Sequence, residues 1–441
     1  MKKIKDFFRQ NKGKWLWAVA AVIFCALLPE YVFPVVLLVA YIKTVSFKGL
    51  SVSKVGMPAV FLLTFAVWQV IGLFYSGSFV SGLSSLGIWL AVLINVIMMN
   101  SVIDSRLKLD TVMFAGALSG GVAGGIGVVQ MVLYHYGELI WQPLKSLFNP
   151  FWHPLDNFVA DVAINHLLPD FAKQYIQRTE FIAIITRASG TFTNPVMFAV
   201  FLTMMLPLAV YCMFYLGGKA KKFTGFVCAV LIVGGIAASY SRGPYLAIAA
   251  VFFVLLFYGG KRALALLGVG AGGVAVVAAV ASGVFKRLLT LFSSDDISVN
   301  TRSQIWKACF EMLDGHLLFG YGTGVNNVRE QLHETYGIMQ PHAHNIFLQI
   351  ILENGIIGLA IFLGAFIVFG ISMIKLAHCG KKERGVAVTL TACLVAFCAC
   401  GMTDHLLYGL KPVCYMMMLF GMGSAAVRIY RKKANDKKDE V

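Results

Sequence analysis

The sequence predicts an all-α, polytopic membrane protein with about twelve transmembrane helices. Hydrophobic residues make up 59% of the 441 positions and charged residues only 13%, whereas a soluble domain carries roughly 25% charged residues. Apolar runs of bilayer-spanning length recur from end to end. Short basic segments occupy alternate gaps between these runs. Because basic residues accumulate in cytoplasmic loops, this alternation predicts the topology as well as the fold class.

Twelve apolar runs define the predicted spans. They cover residues 15–29, 31–43, 57–75, 82–99, 111–134, 196–216, 223–239, 244–258, 263–284, 355–375, 386–403 and 412–428. An even number of crossings places both termini on the same side of the membrane, and the basic segments at both ends predict that this side is the cytoplasm. The first run follows a basic flank but no small-residue cleavage site follows it, so we interpret it as a membrane helix and not as a signal peptide. We expect a single integral-membrane domain over residues 1–441.

The formal charge of +16 is explained by the basic segments that mark the topology. These segments are residues 2–14, 43–54, 106–108, 219–222, 261–262, 375–384 and 428–438. Their expected partner is the anionic lipid of the bilayer, and nucleic acid is not needed as a partner. The nine cysteines lie mainly within apolar runs, so we expect packing residues and neither a disulfide framework nor a metal site.

Two long segments, 135–195 and 285–354, are predicted on the non-cytoplasmic side. The first mixes aromatic residues, prolines and amphipathic stretches, which suits helices at the bilayer surface. The second contains a predicted helix at 301–313, a glycine-rich turn and a histidine segment. Of the nine histidines, only His378 is predicted on the cytoplasmic side. Long ordered loops are usually functional, so the sequence predicts an active face that points outward.

Four polar patterns on this outer side contain the candidate site residues. They are residues 186–195 with Arg187, 239–244 with Arg242, 300–306 with Arg302 followed by 320–324, and 342–345 with His342 and His344. Arg187 or Arg242 alone could simply reach lipid headgroups. Arg302 is expected in the first turn of its helix, where the helix dipole disfavours a cation and a bound anion would offset the charge.

Together these residue types favour phosphate chemistry. Arginine binds phosphate oxygens through bidentate, charge-assisted hydrogen bonds, so three arginines could hold a diphosphate without a metal. A histidine can take a proton from an attacking hydroxyl near neutral pH. His342 and His344 could instead be ordinary loop residues or metal ligands, but no HExxH motif or carboxylate array accompanies them. The absence of an Asp-x-Asp pair favours a lipid diphosphate donor over a sugar nucleotide.

At these positions the sequence resembles the O-antigen ligase and O-antigen polymerase superfamily. The resemblance is carried by the Arg-x-x-Gly-x-Phe-x-Asn-Pro segment at 187–195, Ser-Arg-Gly at 241–243, Arg-x-x-x-Trp at 302–306, the glycine turns at 320–324, His-x-His-Asn at 342–345 with 347–348, Gly-Ile-Ile-Gly at 355–358, and Asp404. The matching core covers residues 185–425. No single segment is specific, and the set is distinguished by its order and its outward placement.

The resemblance implies a metal-independent, inverting glycosyltransferase of a bacterial inner membrane, with no cofactor. Its donor would be a glycan on undecaprenyl diphosphate, and its acceptor a hydroxyl of a glycan or glycolipid on the outer face. The family's diphosphate-binding arginines correspond to Arg187, Arg242 and Arg302, and its base to His344 or His342. We favour His344, because Asn345 is expected to cap a helix directly after it.

Several alternatives stay open at the level of the sequence. The acceptor could be a lipid A-core sugar for a ligase, another lipid-linked repeat for a polymerase, or a serine or threonine for a protein transferase. A twelve-helix secondary transporter is the main rival class. It would place ionisable residues near the bilayer midplane, yet the predicted spans contain almost none, and only Glu353 lies near a boundary. A non-catalytic scaffold would not explain the outward arginines and histidines.

Overall fold

A computed structural model describes residues 56–131, 187–258 and 297–439, except 193 and 408, together with the isolated residues 19, 22, 23, 28 and 262. The described part is helical. Its helices are α1 Met57–Leu73, α2 Phe79–Val102, α3 Arg106–Met131, α4 Pro195–Tyr215, α5 Lys219–Ala238, α6 Arg242–Leu255, α7 Ile297–Glu311, α8 Val325–Tyr336, α9 Ile346–Ala377, α10 Lys381–Gly401 and α11 Leu410–Asp439. A short 3₁₀ helix, Leu256–Tyr258, extends α6.

Seven of these helices are long and apolar enough to cross a membrane, namely α2, α3, α4, α5, α9, α10 and the Leu410–Arg431 part of α11. The helices α1 and α6, the latter with its 3₁₀ extension, are shorter and also apolar. Nine of the predicted spans correspond to these helices, which confirms the all-helical, multi-span class. The predicted spans 31–43 and 263–284 lie outside the described residues, and only residues 19, 22, 23 and 28 of the span 15–29 are described, so the count of twelve stays a prediction.

The centre of the bundle is formed by α4, α10 and α11, which are the most enclosed of the spanning helices. Helix α4 packs against α5 and α10, α11 packs against α2, and α9 packs against α1 and α10. Helix α4 begins at Pro195 because Asn194 accepts a hydrogen bond from the Val196 amide and proline tolerates the first helical position.

Close helix approach depends on a row of small residues in α3. Gly116, Gly120 and Gly124 lie four residues apart and face α4 and α5. A Cβ atom at Gly124 would lie 2.3 Å from the carbonyl oxygen of Leu231 in α5. The backbones therefore meet at a distance that only glycine allows, as small-xxx-small rows predict.

Helices α7 and α8 form a separate layer at one end of α1, α2 and α9, the end that the sequence predicts to be non-cytoplasmic. The layer has its own apolar core, which includes Ile305, Cys309, Leu332, Ala343 and Leu352. The first of these helices begins at Ile297 and ends at Glu311, whereas the sequence predicted a helix over 301–313. This second core rigidifies the loop segment between 297 and 345 and attaches it to the membrane helices.

Helix α9 is broken at Gly355, where φ is 67° and ψ is −179°, a combination that is essentially restricted to glycine. The groups freed by the break are bonded to the protein. The carbonyl of Leu352 accepts from the Tyr321 amide at 2.7 Å, and the carbonyl of Asn354 accepts from Trp68 Nε1 at 2.8 Å. The glycine-rich turn after α7 thus docks into the break and lies beside the segment that precedes α9.

Candidate functional site

The histidine segment, residues 342–345, forms an arch whose backbone is held by hydrogen bonds at its centre, Ala343, and at its end, Asn345. Asn345 caps α9, since its Oδ1 accepts from the amides of Phe347 and Leu348 at 2.9 and 3.1 Å, which confirms the predicted cap. Ala343 is fully buried, and its carbonyl accepts from Trp306 Nε1 at 2.9 Å. Between them His344 adopts a positive φ of 49°, which is sparsely populated for a residue with a side chain. The fold therefore determines where this imidazole points.

His344 pairs with a carboxylate from the loop between α10 and α11. Its Nδ1 lies 3.2 Å from Asp404 Oδ1, and its Nε2 lies 3.4 Å from Gln340 Oε1. The same Asp404 oxygen accepts from the His405 amide at 2.8 Å. A carboxylate at Nδ1 favours the tautomer that carries its proton there, which leaves Nε2 as a proton acceptor. In this tautomer the contact between Nε2 and Gln340 Oε1 is not a hydrogen bond, because both atoms are acceptors.

His342 is bonded differently. Its Nδ1 accepts from the backbone amide of His344 at 3.3 Å, so the proton of the neutral ring is on Nε2, which is a hydrogen-bond donor. The ring lies edge-on to His344, with centroids 4.3 Å apart, and 5.1 Å from the buried ring of His405. Two neighbouring histidines therefore present opposite hydrogen-bonding groups, an acceptor at His344 and a donor at His342.

Burial and neighbouring charges shift the pKa values of the ionisable side chains in this cluster. Burial, reinforced by the charge of His344, lowers the pKa of His342 to about 4. Burial also lowers the pKa of His405 well below its ordinary value. For Asp404, burial acts to raise the pKa, but the hydrogen bond and charge of His344 outweigh it, so the pKa is lowered. At neutral pH the cluster therefore contains a carboxylate beside a neutral His342.

The same side chains are close enough to hold a metal ion. Ligand atoms of His342, His344 and Asp404 lie within 4.8 Å of one another. However, the Nδ1 atoms of both histidines are directed at protein partners, one at Asp404 and the other at the His344 amide. An ion would therefore be bound through Nε2 atoms or would displace these bonds.

Arg302 lies beside the arch. It is four residues before Trp306 on α7, so both side chains lie on one face of the helix, and Trp306 reaches Ala343. The charge of Arg302 contributes to the lowered pKa of His342. The expectation that Arg302 occupies the first helical turn is wrong, because α7 begins at Ile297. At this position the helix dipole gives no reason to expect a bound anion, and Arg302 is distinguished instead by its charge beside His342.

The second arch is the turn of residues 239–241 between α5 and α6, which Arg187 contacts and Arg242 directly follows. Arg187 donates from Nε to the Ser239 carbonyl and from Nη2 to Ser241 Oγ, both at 2.9 Å. Arg242 follows directly as the first residue of α6. The guanidinium of Arg187 thus supports the turn that presents Arg242, a role that sequence patterns alone did not reveal.

The two arches meet at the loop that carries Asp404. A Cβ atom at Gly243 would lie only 2.2 Å from Thr403 Oγ1, so the turn with Arg242 packs directly against the neighbour of Asp404. On the other side, Asn345 Nδ2 donates to the Met402 carbonyl at 3.2 Å. Segments that are distant in sequence are thereby connected around one loop between α10 and α11.

Sequence reasoning missed the partners of the histidines. Asp404 was recognised as part of the family pattern without a role, and His405 was not singled out. Asp404 does carry one signal, since it is an acidic residue in a short outer loop of a chain with few acidic residues. Gln349 carries no comparable signal, because it accepts from a backbone amide, that of Ala343. Glu353 stands out in the sequence only as an ionisable residue near a span boundary, and its bond to the amide of Gly324 is not encoded locally.

Comparison with known proteins gives a family match. No curated protein matches the chain. Residues 227–363 match the model of a protein family described as O-antigen ligase. The matched range contains Arg242, Arg302, His342 and His344, while Arg187 and Asp404 lie outside it. The match supports the resemblance to the O-antigen ligase and O-antigen polymerase superfamily and an O-antigen ligase-like function in polysaccharide biosynthesis.

Proposed function

We propose that the protein is a membrane glycosyltransferase that moves a glycan from undecaprenyl diphosphate to an acceptor hydroxyl on the outer face of the bacterial inner membrane, with both of its termini in the cytoplasm. The observation that carries the proposal is the pairing of His344 with Asp404 beside Arg302, in a chain with an O-antigen ligase match. A base and a cation are the two groups that this transfer needs.

The arginines are proposed to hold the donor. Arg242 and Arg302 would bind the diphosphate oxygens, and Arg187 would contribute while it supports the turn before Arg242. Guanidinium groups match phosphate geometry and retain their charge at every relevant pH. Their charge would stabilise the diphosphate as negative charge develops on it during departure.

His344 is proposed to be the general base. The acceptor hydroxyl attacks the anomeric carbon, its proton passes to His344 Nε2, and the bond between that carbon and the diphosphate oxygen breaks. The undecaprenyl diphosphate leaves with the electron pair, and in-line attack inverts the anomeric configuration. Asp404 would stabilise the imidazolium formed in this step, and His342 would orient the acceptor through its Nε2 proton.

Variants of the two kinds of residue distinguish these roles. His344→Ala should retain binding of undecaprenyl diphosphate but lose about 10²- to 10⁴-fold in single-turnover transfer, because general-base removal has that cost. Arg302→Ala should weaken binding as well as transfer. Both are measured on the same detergent-purified preparations. Normal transfer by His344→Ala with loss in His342→Ala would assign the base to His342.

The reaction is proposed to be independent of metal ions, since guanidinium groups supply the positive charge. Transfer by the purified protein should therefore survive excess EDTA. If EDTA abolished turnover and a divalent ion restored it, His342, His344 and Asp404 would become the ligand set.

The acceptor separates two versions of the function. In a deletion strain, loss of glycan chain length would identify a polymerase, whereas accumulation of lipid-linked polymer would identify a ligase.

A secondary transporter is the alternative function, and the broken helix at Gly355 favours it, because discontinuous helices often line transport sites. Here the freed carbonyls of Leu352 and Asn354 are bonded to Tyr321 and Trp68, so the break supports the outer layer instead.

A further inference from the structure

Two polar side chains are buried beneath the histidine arch, in the short helical segment before the break in α9. Gln349 is 1% exposed and Glu353 is 5% exposed. Burying an amide and a carboxylate is costly unless each finds hydrogen-bond partners. Their partners are therefore informative about why this apolar helix carries them.

A chain of hydrogen bonds leads from Glu353 to the arch. The amide of Ala343 donates to Gln349 Oε1 at 2.9 Å, and Gln349 Nε2 donates to Glu353 Oε1 at 2.7 Å. The orientation of the Gln349 amide is determined by this arrangement, because a backbone N–H can only donate and so requires the oxygen of Gln349. Its nitrogen must then face Glu353, which must accept.

The second oxygen of Glu353 reaches the glycine-rich turn. Glu353 Oε2 accepts from the amide of Gly324 at 3.3 Å. Both carboxylate oxygens thus accept a hydrogen bond from an N–H donor. One buried side chain therefore connects the turn that docks into the helix break with the segment that contains both histidines.

The bonds converge on the residue between the two histidines. Gln349 accepts from the Ala343 amide, and Trp306 donates to the Ala343 carbonyl. The peptide groups before and after Ala343 are therefore both held by hydrogen bonds. His344 follows immediately, in its left-handed conformation. A sparsely populated backbone conformation persists only where its surroundings enforce it.

We infer that Gln349 and Glu353 are positioning residues that hold the Ala343 peptide, and through it the His344 imidazole, in the orientation needed for proton transfer. The inference rests on the proposed role of His344 as base. Neither residue is expected to touch the substrate. Misplacement of a reacting group by about 1 Å can cost about 10²-fold in rate, so a loosened arch should affect transfer more than donor binding.

The donor-to-acceptor direction of these hydrogen bonds provides a test. Glu353→Gln offers one oxygen to two N–H donors, and Gln349→Glu places two carboxylates side by side, so each single substitution breaks the chain. The double variant Gln349→Glu with Glu353→Gln restores it. The carboxylate then stands at position 349, where it accepts from the Ala343 amide and from the side-chain NH₂ group at position 353. The side-chain oxygen at position 353 still accepts from the Gly324 amide.

Single-turnover transfer and undecaprenyl diphosphate binding are measured for the two single variants and the double variant. Each single variant should transfer about 10- to 100-fold more slowly with binding changed less than about twofold. The double variant should recover to within about threefold of the wild-type rate. Single variants with wild-type transfer, a double variant as slow as the slower single, or losses of binding equal to those of transfer would each overturn the inference.

Two further variants complete the design. Trp68→Phe removes the hydrogen bond to the Asn354 carbonyl at the same break but leaves the chain intact, so its transfer rate should equal that of the wild type. A comparable loss in Trp68→Phe would assign the effect to the break as a whole and overturn the inference. His344→Ala separates the two proposals: wild-type transfer by it removes the proposed base, whereas its inactivity beside normal single variants removes only the positioning role.

Discussion

The most demanding prediction concerns Asp404→Asn. The substitution keeps the shape of the side chain but removes the charge 3.2 Å from His344 Nδ1. Two unit charges at this distance interact by about 5 kcal/mol at an effective dielectric constant of about 20. Both side chains retain some exposure, 22% for His344 and 12% for Asp404, so solvent screening reduces this value. We expect a loss of about 2–4 kcal/mol in the transition state, in which His344 becomes charged.

This free energy corresponds to a rate loss of about 30- to 1,000-fold. An asparagine can also turn its NH₂ group toward Nδ1, which would favour the tautomer with the proton on Nε2 and block the base. The assay is single-turnover transfer at saturating donor, with undecaprenyl diphosphate binding measured in parallel. Wild-type transfer by Asp404→Asn, or a loss confined to donor binding, would refute the assignment of Asp404 as the partner of the base.

Three further predictions concern stability and the second arch. Gly355→Ala should destabilise the purified protein by at least about 3 kcal/mol, since the new Cβ would lie 2.0 Å from the Leu318 carbonyl oxygen in a glycine-only conformation. The control is Gly370→Ala, where nothing lies within 4 Å of the new Cβ, and it should not lower the midpoint of thermal unfolding. Arg187→Lys should weaken undecaprenyl diphosphate binding about 10- to 100-fold, because lysine cannot reproduce the two bonds to the turn before Arg242; unchanged binding would contradict this. Because the pKa of His342 is lowered to about 4, the unfolded chain binds a proton there below about pH 6.5 while the folded protein does not. Stability should therefore fall as pH decreases from about 6.5 to 4, and His342→Gln should reduce that slope in thermal unfolding; an unchanged slope would contradict the shift.

The membrane fold was predictable because bilayer-spanning helices leave a strong signal in the sequence. Apolar length identified the nine predicted spans that correspond to described helices. The bounds of α7 were less accurate, since a short amphipathic helix is stabilised by its contacts with α8 and not by its own composition. The break at Gly355 was also missed, because a single glycine in an apolar run does not reveal the turn that docks against it.

The candidate site was predictable only in part, for a related reason. Arginines and histidines in outer segments carry recognisable chemistry, and Asn345 carries a local capping preference, so these residues could be named from the sequence. The pairing of His344 with Asp404 joins residues that are 60 positions apart, and no local pattern encodes it. Gln349 is harder still, since the group that it binds is a backbone amide, which every residue except proline offers.

The roles proposed for the two histidines differ because the fold surrounds identical side chains with different groups. His342 accepts a backbone hydrogen bond at Nδ1 and is buried enough to stay neutral, so it can offer a proton donor but gains little from becoming charged. His344 has a carboxylate at Nδ1, so a positive charge that develops on its ring is stabilised where it forms. A general base must become charged during the reaction, and only one of the two environments favours that change. The assignment of the base to His344 therefore follows from what lies behind each ring and not from which ring is closer to the acceptor.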